Sequence, residues 1–307
     1  MTVLDPQNPT SITDPVLLEK SFETISSLSN AAGTQAIAAA PQKTSFFSFT
    51  FRAISELRFV KFALASFVIN NLRRRYQRSV LGFAWSLLNP LLMMIVLTSV
   101  FSLLFHRDPR TYSIYVFTGM LPWTFISESI STGSLSITAA ENFMKKVYIP
   151  KIFFPLVAVC TESINFALSL VSMMFLALFV GLKLHLTLLL LPFAMVITFF
   201  FTFGIVLALA VSTVYFRDLT HLVRVILQSF FYFIPIIYPL SAVPEKYAIY
   251  FQLNPFTYFI NLYRELIFYG QFPTRHEWAI PIGLTAVTLF IGFYILMKRE
   301  KDIIFRL

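Results

Sequence analysis

The stretch SVLGFAWSLLNPLLMMIVLTSVFSLLF, at 79–105, contains no charged residue. A helix needs about 20 apolar residues to cross the hydrocarbon core of a bilayer, so this stretch can span a membrane. The segment RRRYQR, at 73–78, comes directly before it and carries four arginines. A basic cluster at the start of an apolar segment is typical of the cytoplasmic edge of a transmembrane helix.

The composition of the whole chain also indicates an integral membrane protein. Of its 307 residues, 57% are hydrophobic and 13% are charged, whereas soluble domains have about 25% charged residues. The net charge of +9 is attributed to topology and contact with anionic lipid rather than to nucleic acid. Cys160 is the only cysteine, so no intramolecular disulfide can form.

Five more apolar segments bring the predicted number of spans to six. They lie at 111–140, 152–182, 184–216, 225–244 and 278–297. Only Glu128 and Glu162 bring a charge into these segments. A carboxylate that faces lipid is costly, so we expect both to face the bundle interior or a water-filled path, either packed against a polar partner or placed near the end of a span.

Three other segments complete the predicted organisation. Residues 1–45 are rich in Ser, Thr, Ala and Pro, which predicts a disordered cytoplasmic tail. Residues 46–78 form an amphipathic interface helix and a basic segment at the membrane entrance. Residues 79–307 form the six-span domain. Within it, an apolar stretch at 247–263 is broken by Asn254-Pro255, which predicts re-entrant helices at about 242–275 in the last external loop.

The basic residues of the loops set the predicted orientation. With six spans, the loops on the side of both termini contain 17 basic residues and the opposite loops contain 6, leaving out Lys20 in the tail. Cytoplasmic loops carry the excess of Lys and Arg, so we expect both termini to be cytoplasmic.

Motifs for covalent chemistry are missing from the sequence. It contains no Gly-rich phosphate loop of the P-loop type and no HExxH, and its four histidines lie in different segments. We therefore expect no ATP site, no metal and no catalytic residues in this chain.

Five stretches at the ends of the spans carry a family resemblance. They are RYQRSVLGFAWSLLNPLL at 75–92, FTGMLPWTFISESI at 117–130, ENFMKKVYIPKIFFPL at 141–156, VYFRDLTHLVRVILQSFFYFIPIIYPLSAVPEKY at 214–247, and LNPFTYFINLYRELIFYG at 253–270. In this order they resemble the membrane (permease) subunits of ABC-type polysaccharide exporters, which export O-antigen, capsule or teichoic-acid chains. The resemblance runs from about residue 55 to the C-terminus.

The resemblance implies an all-α polytopic membrane protein that works as a homodimer in the bacterial cytoplasmic (inner) membrane. Two copies of a separate ATPase subunit would bind ATP and Mg, so this chain would hold no cofactor. The cargo would be a lipid-linked polysaccharide, and membrane lipid, but no nucleic acid, would be a further partner.

The resemblance also implies roles for polar residues on the cytoplasmic side. A coupling helix would contact the ATPase through Glu141, Asn142, Lys145, Lys146 and Tyr148; otherwise this is a loop that obeys the positive-inside rule. Arginines at the entrance for the lipid phosphate would be Arg73, Arg74, Arg75 and Arg78. Arg matches phosphate oxygens, but a topology anchor and contact with anionic headgroups remain open for these four.

Two further sets have open alternatives. The candidate channel aromatics are Trp85, Trp123, Phe125, Tyr232 and Tyr238, because sugar rings stack on aromatic rings; otherwise they form interface belts. The cytoplasmic ion pair Arg217 and Asp218 would tie the end of the fourth span to the interface or coupling helix, or else be a solvated surface pair.

Three other functions compete with polysaccharide export. They are an ABC permease for a drug or small lipid, a membrane-embedded transferase that acts on lipid-linked sugars, and a non-catalytic scaffold in an envelope assembly complex.

Overall fold

The computed structural model describes residues 46–76, 84–180 and 185–306. The predicted tail at 1–45 lies outside these ranges, and so does Arg78 in the basic segment. Every regular element in the described part of the chain is a helix. The all-α prediction is therefore confirmed for these residues.

The predicted interface helix consists of two helices. Helix α1 spans Phe46–Phe59 and helix α2 spans Lys61–Tyr76, and they meet at Val60. Helix α1 buries Phe49 and Ala53, while Phe47 and Phe51 are exposed. The last turn of α2 carries Arg73, Arg74 and Arg75.

Five long helices form the body of the protein. They are α3 (Trp85–Leu104), α4 (Pro109–Ser134), α7 (Phe153–Val180), α8 (Leu191–Tyr215) and α12 (Arg275–Arg299). A 3-10 helix, Leu186–Leu190, leads into α8. Among the described residues, three helices are both long and apolar enough to cross a membrane, at Phe153–Phe175, Leu186–Tyr215 and Arg275–Arg299. The chain is therefore a multi-pass membrane protein.

The helix in the fifth predicted span is displaced and shorter than expected. The sequence predicted a span at 225–244, but helix α9 covers Leu219–Phe233 and residues 234–238 are not helical. Pro235 explains this end, and Pro239 disfavours a helical conformation further along, at Tyr238. A proline has no amide hydrogen to donate, and it disfavours the helical conformation of the residue before it.

Two short helices occupy the segment for which the sequence predicted a re-entrant pair. After a 3-10 turn at Leu240–Ala242, they are α10 (Glu245–Gln252) and α11 (Pro255–Arg264). Asn254 caps α11 by accepting a hydrogen bond from the amide of Phe256 at 3.0 Å. A π-helix, Glu265–Tyr269, follows and ends at Gly270, whose positive φ of 63° suits a residue without a side chain.

Three one-turn helices lie at the ends of the long ones. Helices α5 (Ser136–Ala139) and α6 (Glu141–Met144) connect α4 to α7, and α13 (Ile303–Arg306) follows α12. Helix α6 falls within the segment that the sequence assigns to the cytoplasmic side, whereas α5 lies at the end of the predicted second span, 111–140.

Helices α8 and α12 pack closely through two glycines. A Cβ atom at Gly292 would lie 2.5 Å from the carbonyl oxygen of Gly204. The Thr288 hydroxyl donates a hydrogen bond to the carbonyl of Phe201 at 3.2 Å across the same interface. Small residues let helix backbones approach inside a membrane, where apolar lipid gives no hydrophobic drive for association.

Candidate functional site

An ion-pair cluster joins the basic end of α2 to the interior of the helix bundle. Nη1 of Arg75 donates to both carboxylate oxygens of Glu162, at 3.1 and 3.0 Å. Nη2 of Arg75 lies 3.9 Å from Oε2 of Glu128. Nδ2 of Asn165 donates to Oε2 of Glu162 at 3.1 Å. As the sequence predicted for a carboxylate within a span, Glu162 is buried and has polar partners.

A cavity of about 330 Å³ opens beside this cluster. Three helices face it with residues spaced one turn apart, a spacing that places them on one helix face. Its lining consists of Arg75 from α2, Trp85 and Asn89 from α3, Leu121, Thr124, Phe125 and Glu128 from α4, and Glu162, Asn165, Phe166 and Ser169 from α7. Polar groups and aromatic rings therefore share one cavity.

A second cavity, of about 370 Å³, shares Arg75 and Glu162 with the first. Arg74 also lines it, together with Asn71 from the same helix. Arg73 and Arg74 are exposed. All three described arginines of the predicted phosphate entrance are thus exposed, but Arg75 is in addition bound to Glu162.

The predicted coupling segment forms an exposed turn with one buried anchor. Helix α6 buries Met144, while Asn142, Lys145 and Lys146 are exposed. Nζ of Lys145 lies 2.6 Å from Oε1 of Glu141, and this hydrogen bond lowers the pKa of the Glu141 carboxyl below its usual value. The segment presents charged groups of both signs to an approaching surface.

A polar junction connects this segment to α1 and to the end of α12. Nη2 of Arg52 donates to Oε2 of Glu300 at 2.9 Å, and the Tyr148 hydroxyl donates to Glu56 at 3.5 Å. Burial raises the pKa of the Glu56 carboxyl above its usual value, although the nearby Arg52 acts in the opposite direction. Nζ of Lys151 lies 5.3 Å from the centre of the Tyr148 ring. Tyr148 is therefore the member of the predicted coupling set that reaches the interface helix.

Arg217 and Asp218 lie between α8 and α9. Within the described part of the chain, no ion pair joins these two side chains. Arg217 instead acts electrostatically on Glu141, where it makes a small contribution to the lowered pKa of that carboxyl. The role of Arg217 and Asp218 in tying the end of the fourth span to another helix stays a prediction.

The five candidate channel aromatics do not share one surface in a single chain. Trp85 and Phe125 line the cavity of about 330 Å³. Trp123 is buried and makes an edge-to-face contact with Phe256, with ring centres 5.4 Å apart. Tyr232 is exposed on α9, and the Tyr238 hydroxyl donates to its backbone carbonyl.

Three side chains that the sequence analysis did not single out hold the non-helical segment 234–238. Three of its carbonyls in succession accept hydrogen bonds from side chains. Nη2 of Arg264 donates to the carbonyl of Ile236 at 2.7 Å. The Tyr112 hydroxyl donates to the carbonyl of Ile237, and the Tyr115 hydroxyl donates to the carbonyl of Tyr238 at 3.3 Å. The Arg264 guanidinium also stacks on the Tyr115 ring at 3.9 Å. Irregular backbone is tolerated at membrane depth when buried partners satisfy it.

Asn165 and Ser169 were also missed, although the sequence carries a signal for them. With Glu162 they are spaced i, i+3 and i+7 within an apolar segment, which places three polar side chains on one helix face. The partner helices of this polar stripe could not be read from spacing, because Arg75 lies 87 positions from Glu162.

A bundle of long apolar helices, with an ion-pair cluster around the buried Glu162 and an exposed charged turn, is the architecture of a multi-pass membrane protein. Comparison with known families identifies the class. The family profile "ABC-2 type transporter" matches residues 63–268. The chain therefore belongs to the ABC-2 type transporter membrane family, as a transport subunit.

Three curated relatives are similar over most of their length. The O-antigen export system permease protein RfbA of Myxococcus xanthus is 30% identical over 253 residues, which cover 82% of this chain and 97% of the relative. An RfbA of Klebsiella pneumoniae is 30% identical over 206 residues, 66% of this chain and 80% of the relative. The polysialic acid transport protein KpsM of Escherichia coli is 22% identical over 247 residues, 78% of this chain and 95% of the relative.

Proposed function

We propose that this chain is the permease subunit of an ABC transporter that exports a lipid-linked polysaccharide across the bacterial cytoplasmic membrane. The observation that carries this proposal is the similarity to a named O-antigen export permease along 97% of the relative's length. ATP hydrolysis on a separate subunit, which also binds Mg, would supply the energy.

The proposed complex contains two copies of this chain and two copies of the ATPase subunit. Each copy of this chain would contribute six spans, formed by α3, α4, α7, α8, α9 with the segment after it, and α12. Both termini would be cytoplasmic. Exposed apolar side chains on α3 and α9, such as Val96, Val100, Leu222 and Val225, supply the faces that would contact lipid or the second copy.

The coupling step would act on the exposed segment 141–148. Closure of the ATPase on ATP would displace this segment, and the Tyr148–Glu56 contact would pass the movement to α1. Arg217 would add to the contact through Glu141. Glu141, Asn142, Lys145, Lys146 and Tyr148 are thus proposed as the contact set for the ATPase.

The arginines at the end of α2 would bind the lipid phosphate of the cargo at the cytoplasmic leaflet. Arg73 and Arg74 are exposed and suited to this contact. Arg78 belongs to the same proposal by its position in the sequence. Arg75 would hold the entrance in place through Glu162 rather than bind phosphate itself.

The proposal is tested by tagging the chain in its native membrane and identifying what co-purifies after mild extraction. We expect a stoichiometric ATPase subunit that is lost on the double charge reversal Lys145→Glu and Lys146→Glu, because reversed charges at an interface repel the partner. The matched control is Lys298→Glu and Lys301→Glu, which reverses two exposed charges at the end of α12.

Three results would contradict parts of the proposal. If no ATPase is retained under several extraction conditions, the transporter has no source of energy and the transferase or scaffold alternative is favoured. If both double variants release the ATPase equally, the contact is not at segment 141–148. If deletion of the gene leaves the surface polysaccharide unchanged, the cargo is a drug or small lipid instead.

A further inference from the structure

The smaller cavity, of about 330 Å³ between α2, α3, α4 and α7, is the feature that carries a further inference. Glu162, Asn165 and Ser169 lie near the middle of α7, which begins at Phe153, and Thr124 and Glu128 lie in the second half of α4, which ends at Ser134. The proposed topology puts the end of α4 and the start of α7 on the cytoplasmic side. The cavity therefore lies between the cytoplasmic end of the bundle and its middle.

Asn165, in the lining of the cavity, has one buried polar atom without a partner among the described residues. Asn165 is 8% exposed, and its Nδ2 atom donates to Glu162. Its Oδ1 atom accepts no hydrogen bond within the described ranges. A buried amide oxygen without a donor costs free energy, and Asn165 lines the cavity, so a turn of this side chain that let an occupant donate a hydrogen bond to Oδ1 would be stabilised.

The charges of the cavity exclude an anion as the best occupant. The charged residues of the lining are two carboxylates, Glu128 and Glu162, and one guanidinium, Arg75. Arg75 is already bound to Glu162, and Arg224 on α9 acts electrostatically on Glu128 from outside the lining. Among the residues that the structure describes, no surplus of positive charge faces the cavity, so a phosphate there would meet carboxylates whose described cation is already shared.

The remaining groups match a neutral ring that carries hydroxyl groups. Carboxylate and amide oxygens of Glu128 and Asn165 accept hydrogen bonds from hydroxyls, and Asn89 and Thr124 can both donate and accept. Trp85 is 45% exposed and presents an aromatic ring to the cavity, while Phe125 and Phe166 in the same lining are buried and stack on each other with ring centres 5.1 Å apart. Sugar rings combine hydroxyl edges with C–H faces that lie on aromatic rings.

We propose that this cavity binds one neutral saccharide ring of the cargo, through Asn165 and Glu128 at its hydroxyls and the aromatic side chains at its face. This inference rests on the proposed export function and adds a sugar site within each chain. The volume of about 330 Å³ is at the lower end of the range for ligand pockets, about 300–1,000 Å³, which suits a single ring.

The test uses Trp85 as the reporter, in the full-length chain reconstituted in lipid nanodiscs free of sugar detergents. The probes are methyl glycosides of neutral hexoses and of a hexuronic acid, with sodium chloride and inorganic phosphate as rival ligands. We expect a saturable change in tryptophan emission with a neutral methyl glycoside, with a Kd on the order of 1 mM. Trp85→Phe should remove this change.

The decisive variants lie on α7. Asn165→Leu should weaken glycoside binding roughly tenfold, because the ring loses its hydrogen bond to a buried amide. Ser169→Ala and Ser172→Ala form a matched pair, since each hydroxyl donates to the carbonyl four residues earlier at 2.9 Å, but only Ser169 lines the cavity. We expect Ser169→Ala to weaken binding and Ser172→Ala to leave it unchanged. Size-exclusion elution of each variant verifies the fold.

The outcomes separate this inference from the proposed function. The sugar site is refuted if no glycoside gives a saturable response, or if Asn165→Leu and Ser169→Ala both respond like the wild type. A response to sodium ions alone makes the cavity a cation site, and a response to phosphate alone makes it an anion site; either overturns the inference. Loss of surface polysaccharide on gene deletion tests export independently of these titrations.

Discussion

The close contact between α8 and α12 gives the sharpest stability prediction. In Gly292→Ala, the new Cβ atom would lie 2.5 Å from the carbonyl oxygen of Gly204 and 3.3 Å from Cβ of Leu207. Ordinary contact begins at 3.4 Å, so the carbonyl must move away by about 0.9 Å. The neighbour is backbone, so the two helices must separate, and overpacking of this kind costs about 1–3 kcal/mol.

Gly283 on the same helix provides the matched control. A Cβ atom there meets nothing within 4 Å. Both substitutions replace a helical glycine by alanine, which favours the helix by up to about 1 kcal/mol in each case. The difference between the two variants therefore isolates the clash, and we expect Gly292→Ala to be about 1–3 kcal/mol less stable than Gly283→Ala.

The assay is thermal unfolding of the purified chain in mild detergent, followed by the loss of the monodisperse peak in size-exclusion chromatography. For domains of about 150–250 residues, each kcal/mol shifts Tm by about 2–4 °C, so the two variants should differ by at least about 2 °C. Equal Tm values for Gly292→Ala and Gly283→Ala would refute the close contact of the two helices.

Three further predictions follow from the buried and half-buried charges. Arg75→Ala should lower Tm clearly more than Arg73→Ala, because it leaves the buried Glu162 carboxylate without its cation; equal effects would show that the pair contributes nothing. Arg264→Lys should destabilise the chain by about 1–3 kcal/mol in the same assay, because lysine loses the planar stacking on tyrosine; full tolerance would contradict the stacked geometry. The pKa of Glu56 is raised in the fold, so its contribution to stability is present below the ordinary value of 4.5 and is lost as the pH rises through the raised pKa. Between pH 4 and 7, Tm should therefore fall less in Glu56→Gln than in the wild type. Parallel profiles of Tm against pH would disprove this.

The sequence predicted the features that depend on composition and spacing along the chain. Apolar segments of about 20 residues or more gave the positions of α7, α8 and α12, because bilayer thickness sets the length of a span. The same reasoning placed the fifth span at 225–244, where helix α9 in fact ends at Phe233. The error arose because hydropathy does not distinguish a helix from the apolar, proline-containing segment that follows it.

Contacts between distant segments could not be predicted in this way. The burial of Glu162 was expected from its cost in lipid, but its partner Arg75 comes from a helix outside the spans. Likewise, Arg264 was counted with the external loops, yet it is 3% exposed and binds a backbone carbonyl. Each contact depends on how helices pack in three dimensions, and a single sequence carries no direct record of that packing.

The three side chains that hold segment 234–238 have a consequence for how this region can change during evolution. Its backbone carbonyls accept hydrogen bonds from Arg264, Tyr112 and Tyr115, and every residue type supplies a carbonyl. These three hydrogen bonds therefore do not require particular side chains at 236–238. Inserting or deleting one residue, however, would move all three carbonyl acceptors away from their donors. In this part of the molecule, the length of the chain is under stricter constraint than the identity of its residues.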